Sequence, residues 1–277
     1  MSAAARTTAF TALALIGFAA NSLLCRRALG LRLIDPASFT TVRLLSGAAA
    51  LALISWFARG TRPRGGNWPS AVALFLYAAA FSLSYVRIQA GIGALLLFGA
   101  VQATMLAWGL IRGERPRRTQ WLGIALALGG LVFLNLPGAQ APNRLGAALM
   151  LTAGIAWGAY SLRGRASRDP LATTADNFLR TVPLSLALSL WMWGSTRATS
   201  AGMGLAVASG ALASGVGYSL WYAALPMLSR TRAAAVQLSV PVVAAIGSVL
   251  LLGEVINGRL YAAGAAILIG VWLAVRA

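Results

Sequence analysis

The sequence predicts an all-α membrane protein of ten transmembrane helices, arranged as two inverted-topology repeats of five. Three observations carry that prediction. The 277 residues are 59% hydrophobic and 10% charged, whereas soluble domains carry about 25% charged residues. Long apolar runs, each near the ~20 residues that cross a bilayer as a helix, follow one another with short polar connections. The dipeptide Gly-Glu, in a chain holding five carboxylates, occurs twice, at Gly113-Glu114 and Gly253-Glu254.

In hydrocarbon every backbone polar group must be bonded within the chain, so only helices and closed barrels cross it. Alternating strand patterns are missing here, and the runs are read as helices. The first, 8–25, continues through Leu23 and Leu24 to Arg26, long enough to span; a cleaved signal peptide is the competing reading of "MSAAARTTAFTALALIGFAANS". The second, 36–58, stops at "RGTRPRGGN" (59–67), and 68–86 and 88–111 follow. "GERPRR" (113–118) leads into the fifth, 119–136, and "NLPGAQAPNR" (135–144) into the sixth, 144–162. The remaining runs are 171–193, 202–226, 233–252 and 260–275. Gly, Pro and Asn mark the breaks, and no connection is long enough for a soluble domain.

All 23 basic residues are arginine, histidine is absent, and Cys25 is the only cysteine. Without Lys there is no P-loop, and without His neither a Ser–His pair nor a His/Cys metal site. An intramembrane enzyme is a poor fit, and no cofactor or metal is expected. The net charge of +18 is spread over short inter-run stretches rather than one basic stripe, which argues against nucleic acid as a partner. With the N-terminus inside, fourteen arginines fall on the cytoplasmic side and seven outside; the positive-inside rule then puts both termini in the cytoplasm. Trp56, Trp68, Trp121, Trp191, Trp193 and Trp272 fall near run ends, where such rings favour the interface.

Glu114 closes the fourth run and Glu254 the ninth. Tyr77 and Tyr218 match at an offset of 141, as do Asp35 and Asp176, and "SLLCRRA" (22–28) overlies "SLRGRAS" (161–167). Together these indicate a duplication into residues 1–138 and 139–277, although Gly-Glu alone could be a helix end repeated by chance. A five-crossing repeat re-enters from the opposite side, and inverted repeats of that kind recur in secondary transporters.

The stretches "GERPRRTQWLGIALALGGLVFL" and "LSRTRAAAVQLSVPVVAAIGSVLLLGEVINGRLYAAGAAILIGVWL" resemble the two half-signatures of EamA-type members of the drug/metabolite transporter superfamily. In these, a Ser/Thr-rich entry, small residues, a mid-helix Pro and Gly-Glu precede a final glycine-bearing helix. The first half departs from the pattern, with Val101 at the position of Pro241. More closely, the chain is similar to the bacterial YddG-like exporters of amino acids. That resemblance implies ten helices, both termini inside, a central cavity and export of amino acids and related metabolites across the inner membrane. Proton-coupled export of hydrophobic or cationic drugs is the alternative it also covers.

Candidate site residues are the polar and aromatic groups in mid-run. The amides of Asn21, Gln102 and Gln237 need partners in hydrocarbon, either as interhelical glue or as cavity lining. Tyr77, Phe81 and Tyr85 recur at helical spacing in the third run, Tyr218, Trp221 and Tyr222 share a face in the eighth, and Trp157 and Tyr160 lie in the sixth. If they face one cavity, they suit apolar or aromatic solutes. Arg43 and Arg180 are read as snorkelling or capping residues, with a substrate carboxylate as the alternative partner. Pro241, with Pro183 and Pro226, is the first choice for a gating hinge, and Glu114 and Glu254 are the paired structural acids. Glycines in "GIAWG" (154–158) and "GALASGVG" (210–217) are read as helix packing. No carboxylate lies at mid-bilayer, so gradient-driven movement of a neutral or zwitterionic solute is expected. The partners foreseen are a small-molecule substrate and membrane lipid, with a monomer as the working unit.

Overall fold

The computed structural model describes residues 2–60, 62–113, 117–138, 141–164, 167–228, 233 and 236–276. Among these the chain is helical, with one isolated bridge between Ile34 and Ala198. The helices are α1 (Ala3–Gly30), α2 (Pro36–Arg59), α3 (Trp68–Tyr85), α4 (Ala90–Ile111), α5 (Arg118–Asn135), α6 (Arg144–Gly164), α7 (Pro170–Trp191), α8 (Ser200–Met227), α9 (Ser239–Leu252) and α10 (Gly258–Arg276).

Local chemistry sets their ends. Asp35 accepts hydrogen bonds from the Ala37 and Ser38 amides with Pro36 in the first turn, and Asp169 accepts from Ala172 with Pro170 in the first turn. A side-chain cap followed by a donor-less proline is a strong helix start. It corrects the pairing of Asp35 with Asp176: the residue doing the job of Asp35 is Asp169. Asp176 lies inside α7, where it takes the Gly66 amide at 2.8 Å and pairs with Arg180 at 3.2 Å. The Gly-Glu pairs are helix stops. Gly113 follows α4 with φ +85° and Gly253 follows α9 with φ +65°, left-handed values that glycine adopts without a Cβ clash. Glu114 itself lies outside the described residues.

Six helices are long and apolar enough to cross a membrane, within α1, α2, α3, α4, α6 and α8; α9 and α10 contain shorter apolar helices. Over α5 and α7 the expected runs are helical but are not among these six, and α7 carries Thr173, Thr174, Asp176, Asn177 and Arg180. The six tryptophans expected at interfaces all face outward, the most buried of them, Trp272, still 41% exposed. Leucines such as Leu122, Leu190 and Leu250 are likewise exposed, an outer surface suited to lipid rather than water.

Packing joins α1 with α8 and α9, α3 with α6 and α7, α2 with α7 and α8, α4 with α6 and α9, and α5 with α10. Gly154 and Gly158 lie against Leu97, Ala100, Val101 and Thr104 of α4, the close approach that small residues permit in lipid. Two expectations change. The eighth run is not one regular helix: Ala208–Val216 winds as a wider π turn between α-helical ends and finishes in a 3₁₀ turn at Leu225–Met227. Pro241 does not lie deep in its helix. It is the third residue of α9, where its missing N–H is one the helix would leave unbonded anyway. Of the other prolines, Pro183 lies inside α7 and Pro226 in the closing 3₁₀ turn of α8.

Candidate functional site

A cavity of about 310 Å³ lies among α1, α3, α4, α6 and α8. Phe18 and Asn21 enter it from α1, Tyr77 and Phe81 from α3, Phe98 and Val101 from α4, Trp157 from α6, and Ser214, Tyr218 and Tyr222 from α8. Gln237, just before α9, completes the set, and none of the lining residues described carries a charge. At one end the wall extends to Gly164, Ser167 and Pro170, at the connection between α6 and α7.

The walls are ring stacks. Trp157 lies at the centre, 4.9 Å from Tyr77, 5.3 Å from Tyr160 and 5.6 Å from Tyr218 between centroids. Tyr218 touches Phe18 at 5.4 Å and Tyr222 at 6.2 Å. Such offset and tilted contacts stabilise each other beyond their buried area, so the rings hold a defined slot. Two polar networks fix their hydroxyls. Tyr77 accepts from Asn21 Nδ2 at 3.3 Å and Arg43 Nη2 at 3.0 Å, while Asn21 Oδ1 accepts from Ser209 of the π turn at 2.6 Å. Tyr160 donates to Thr174 at 3.3 Å and receives Asn177 at 3.5 Å, and Thr174 and Tyr222 share a bond of 3.0 Å.

Of the expected binding residues, Asn21, Tyr77, Trp157, Tyr218, Tyr222 and Gln237 meet at this cavity. Tyr160, Tyr85 and Gln102 do not line it. Tyr160 backs Trp157 through its own hydrogen bonds. Tyr85 is fully buried beneath Phe81, its hydroxyl directed at the Ala90 carbonyl at 3.4 Å. Gln102 is buried on α4. Phe18 and Ser214 were missed as lining; in a helix apolar on every side, nothing in the pattern turns one face inward.

Among the gating candidates, Arg43 departs furthest from expectation. It does not snorkel: it is 1% exposed, with its guanidinium 5.2 Å from the Tyr77 ring and 5.0 Å from the Phe81 ring. Arg180 is paired with Asp176 and lies 5.8 Å over Trp68. Glu254 reaches across three elements: Oε1 pairs with Arg26 at 2.8 Å and Oε2 accepts the Ala90 amide at 2.7 Å. One carboxylate thereby ties α1 and the start of α4 to the end of α9.

The chain is 54% identical over 269 residues to "Uncharacterized protein PA1977" of Pseudomonas aeruginosa, covering 97% of this chain and 94% of the relative. It is 27% identical over 233 residues to "Uncharacterized transporter YwfM" of Bacillus subtilis, covering 80% and 78%. To the "Probable terminal-alkyne amino-acid exporter" of Streptantibioticus cattleyicolor it is 28% identical over 229 residues, covering 79% and 77%. A crystal structure superposes over 95% of both chains with a TM-score of 0.66 at 23% identity, a likeness of fold. The EamA-like transporter family model matches residues 6–136 and 144–276, nearly the whole chain, and the protein therefore belongs to that family: a multi-pass membrane transporter of small molecules, not an enzyme.

Proposed function

We propose that the protein exports amino acids and related small metabolites across the bacterial inner membrane, as a secondary transporter working by alternating access. In this reading residues 1–138 and 139–277 are inverted five-helix repeats. They give ten spans, both termini in the cytoplasm and a monomeric working unit. The observation that carries it is the aromatic cavity of about 310 Å³, lined from both halves and without a charged group among the described lining residues. Pockets for small molecules start near ~300 Å³ and combine apolar walls with a few polar groups. Ring faces suit an apolar side chain, while Asn21, Ser214 and Gln237 offer hydrogen bonds to polar ends.

The packing supports a dyad. Exchanging α1–α5 with α6–α10 turns the α3–α6 contact into α8–α1, α4–α6 into α9–α1 and α3–α7 into α8–α2, and all six pairs touch. Tyr77 on Trp157 is matched by Tyr218 on Phe18. The cavity extends to the α6–α7 connection, the cytoplasmic side by the arginine count, and the Arg26–Glu254 pair closes the other end. This conformation is accordingly read as inward-open. Among the relatives, the exporter of a terminal-alkyne amino acid supports an amino-acid substrate with an apolar tail.

In liposomes holding the purified protein, labelled leucine or phenylalanine should enter with saturable kinetics. Trp157→Ala or Tyr218→Ala should raise the half-saturating concentration by roughly tenfold, the scale of losing a central aromatic contact. Wild-type kinetics in both variants would remove the cavity from the pathway.

A further inference from the structure

Among the described residues Arg43 is a buried cation without an anion. An arginine side chain does not lose its proton in a protein, and a charge inside the membrane region is retained where it pairs or lines a pathway. Nη2 makes one hydrogen bond, to the Tyr77 hydroxyl at 3.0 Å, while Nε and Nη1 have no partner. The four described carboxylates are committed elsewhere. Asp35 and Asp169 cap α2 and α7, Asp176 pairs with Arg180, and Glu254 pairs with Arg26. Among the described residues Arg43 therefore has no acidic neighbour.

Its position relative to the cavity is specific. The guanidinium lies behind Tyr77 and Phe81, two rings that form the cavity wall. The Tyr77 oxygen accepts from Arg43 and from Asn21, which takes up its lone pairs and leaves its own O–H to donate. A hydroxyl that accepts from a guanidinium is a strengthened donor. Tyr77 and Asn21 both line the cavity, so the positive charge in the wall is presented to it through them.

We propose that Arg43, Tyr77 and Asn21 form the anchor for a substrate carboxylate, with the apolar part of the solute in the slot of Trp157 and Tyr218. This rests on the transport reading above and narrows it to carboxylate-bearing solutes. The same charge repels cations, which disfavours cationic drugs as cargo. A carboxylate would supply the acceptor that the guanidinium lacks, either at the Tyr77 hydroxyl or by displacing it to meet Nε and Nη1 as a fork.

The anchor makes a prediction that a structural arginine does not. Removing an unpaired buried charge relieves a desolvation cost, so Arg43→Met should fold with an unchanged or raised melting temperature in detergent. The variant should nevertheless lose its preference for carboxylates. In wild-type proteoliposomes phenylalanine should be preferred at least tenfold over phenylalaninamide, and Arg43→Met should bring that ratio to within about twofold, the loss of one charge-assisted contact. Tyr77→Phe should reduce the ratio while the guanidinium stays.

The wild-type comparison of acid and amide needs no variant to fold. Equal transport of the two by the wild type overturns the anchor and leaves the amino-acid reading standing. Transport of neither, together with thermal stabilisation by phenylacetate but not by phenylacetamide, keeps the anchor and removes the amino-acid reading. Stabilisation by chloride that carboxylates do not compete for assigns the charge to an inorganic ion and overturns the proposal, as does a melting temperature lowered by several degrees in Arg43→Met.

Discussion

Glu254 performs two tasks with one carboxylate. It neutralises Arg26 on α1 and caps α4, whose own N-cap residue Gln89 supplies no side-chain bond. Both partners are partly shielded, with side-chain exposures of 23% and 10%. Glu254→Gln keeps an acceptor for the Ala90 amide but drops the charge, and should cost about 1.5–3 kcal/mol, the scale of one charge-assisted hydrogen bond. Glu254→Ala also uncaps α4 and should cost more. Melting curves in detergent check the order; two variants as stable as the parent would show that the pair closes nothing. The sequence announced this residue through its Gly-Glu context, since a glycine stop followed by a rare acid is a local pattern. Its partners were not legible, because Arg26 is 228 positions away. Arg43 illustrates the same limit from the other side. Distance from the helix end suggested snorkelling, yet the direction of the side chain is decided by Tyr77 and Phe81 on another helix.

At the scale of single elements, helix positions were readable and helix faces were not. Asp-Pro starts, glycine stops and polar breaks are local signals, and they located most of the helices within a few residues. In lipid, however, the outside of a bundle is as apolar as its inside, so periodicity carries little information on which face turns inward. Tyr85 and Tyr160 were therefore grouped with the lining residues although they lie behind it. The π turn of α8 escaped for a related reason: its sequence, "ASGALASGV", is made of small residues compatible with any helical winding. That turn brings Gly210 against the Arg43 carbonyl and Ser46 of α2, with no room for a Cβ. Gly210→Val should force α8 away from α2 and destabilise by about 1–3 kcal/mol, as overpacking does. Gly204→Ala on the same helix meets nothing within 4 Å and should be neutral. Equal melting temperatures for the two would contradict the close crossing.

For the whole molecule, composition and run lengths gave the class, and the recurrence of Gly-Glu is what suggested the two-repeat arrangement proposed above. The offset between halves is not constant, however. The α1 and α6 starts differ by 141 positions and the α3 and α8 starts by 132, which is why Asp35 was aligned with the wrong aspartate. Energy coupling belongs to this scale too. With no carboxylate among the described lining residues to carry a proton, amino-acid flux in sealed vesicles should not respond to an imposed pH gradient. Uphill accumulation driven by protons would refute that. One quiet feature bears on how the proposed cycling can be watched. Cys25 is the chain's sole sulfhydryl, fully enclosed, next in sequence to Arg26 of the Arg26–Glu254 pair. In the alternating-access reading proposed above, a small maleimide would reach it when that pair parts, so its alkylation rate would serve as a native clock for opening, with no competing thiol and no engineered label.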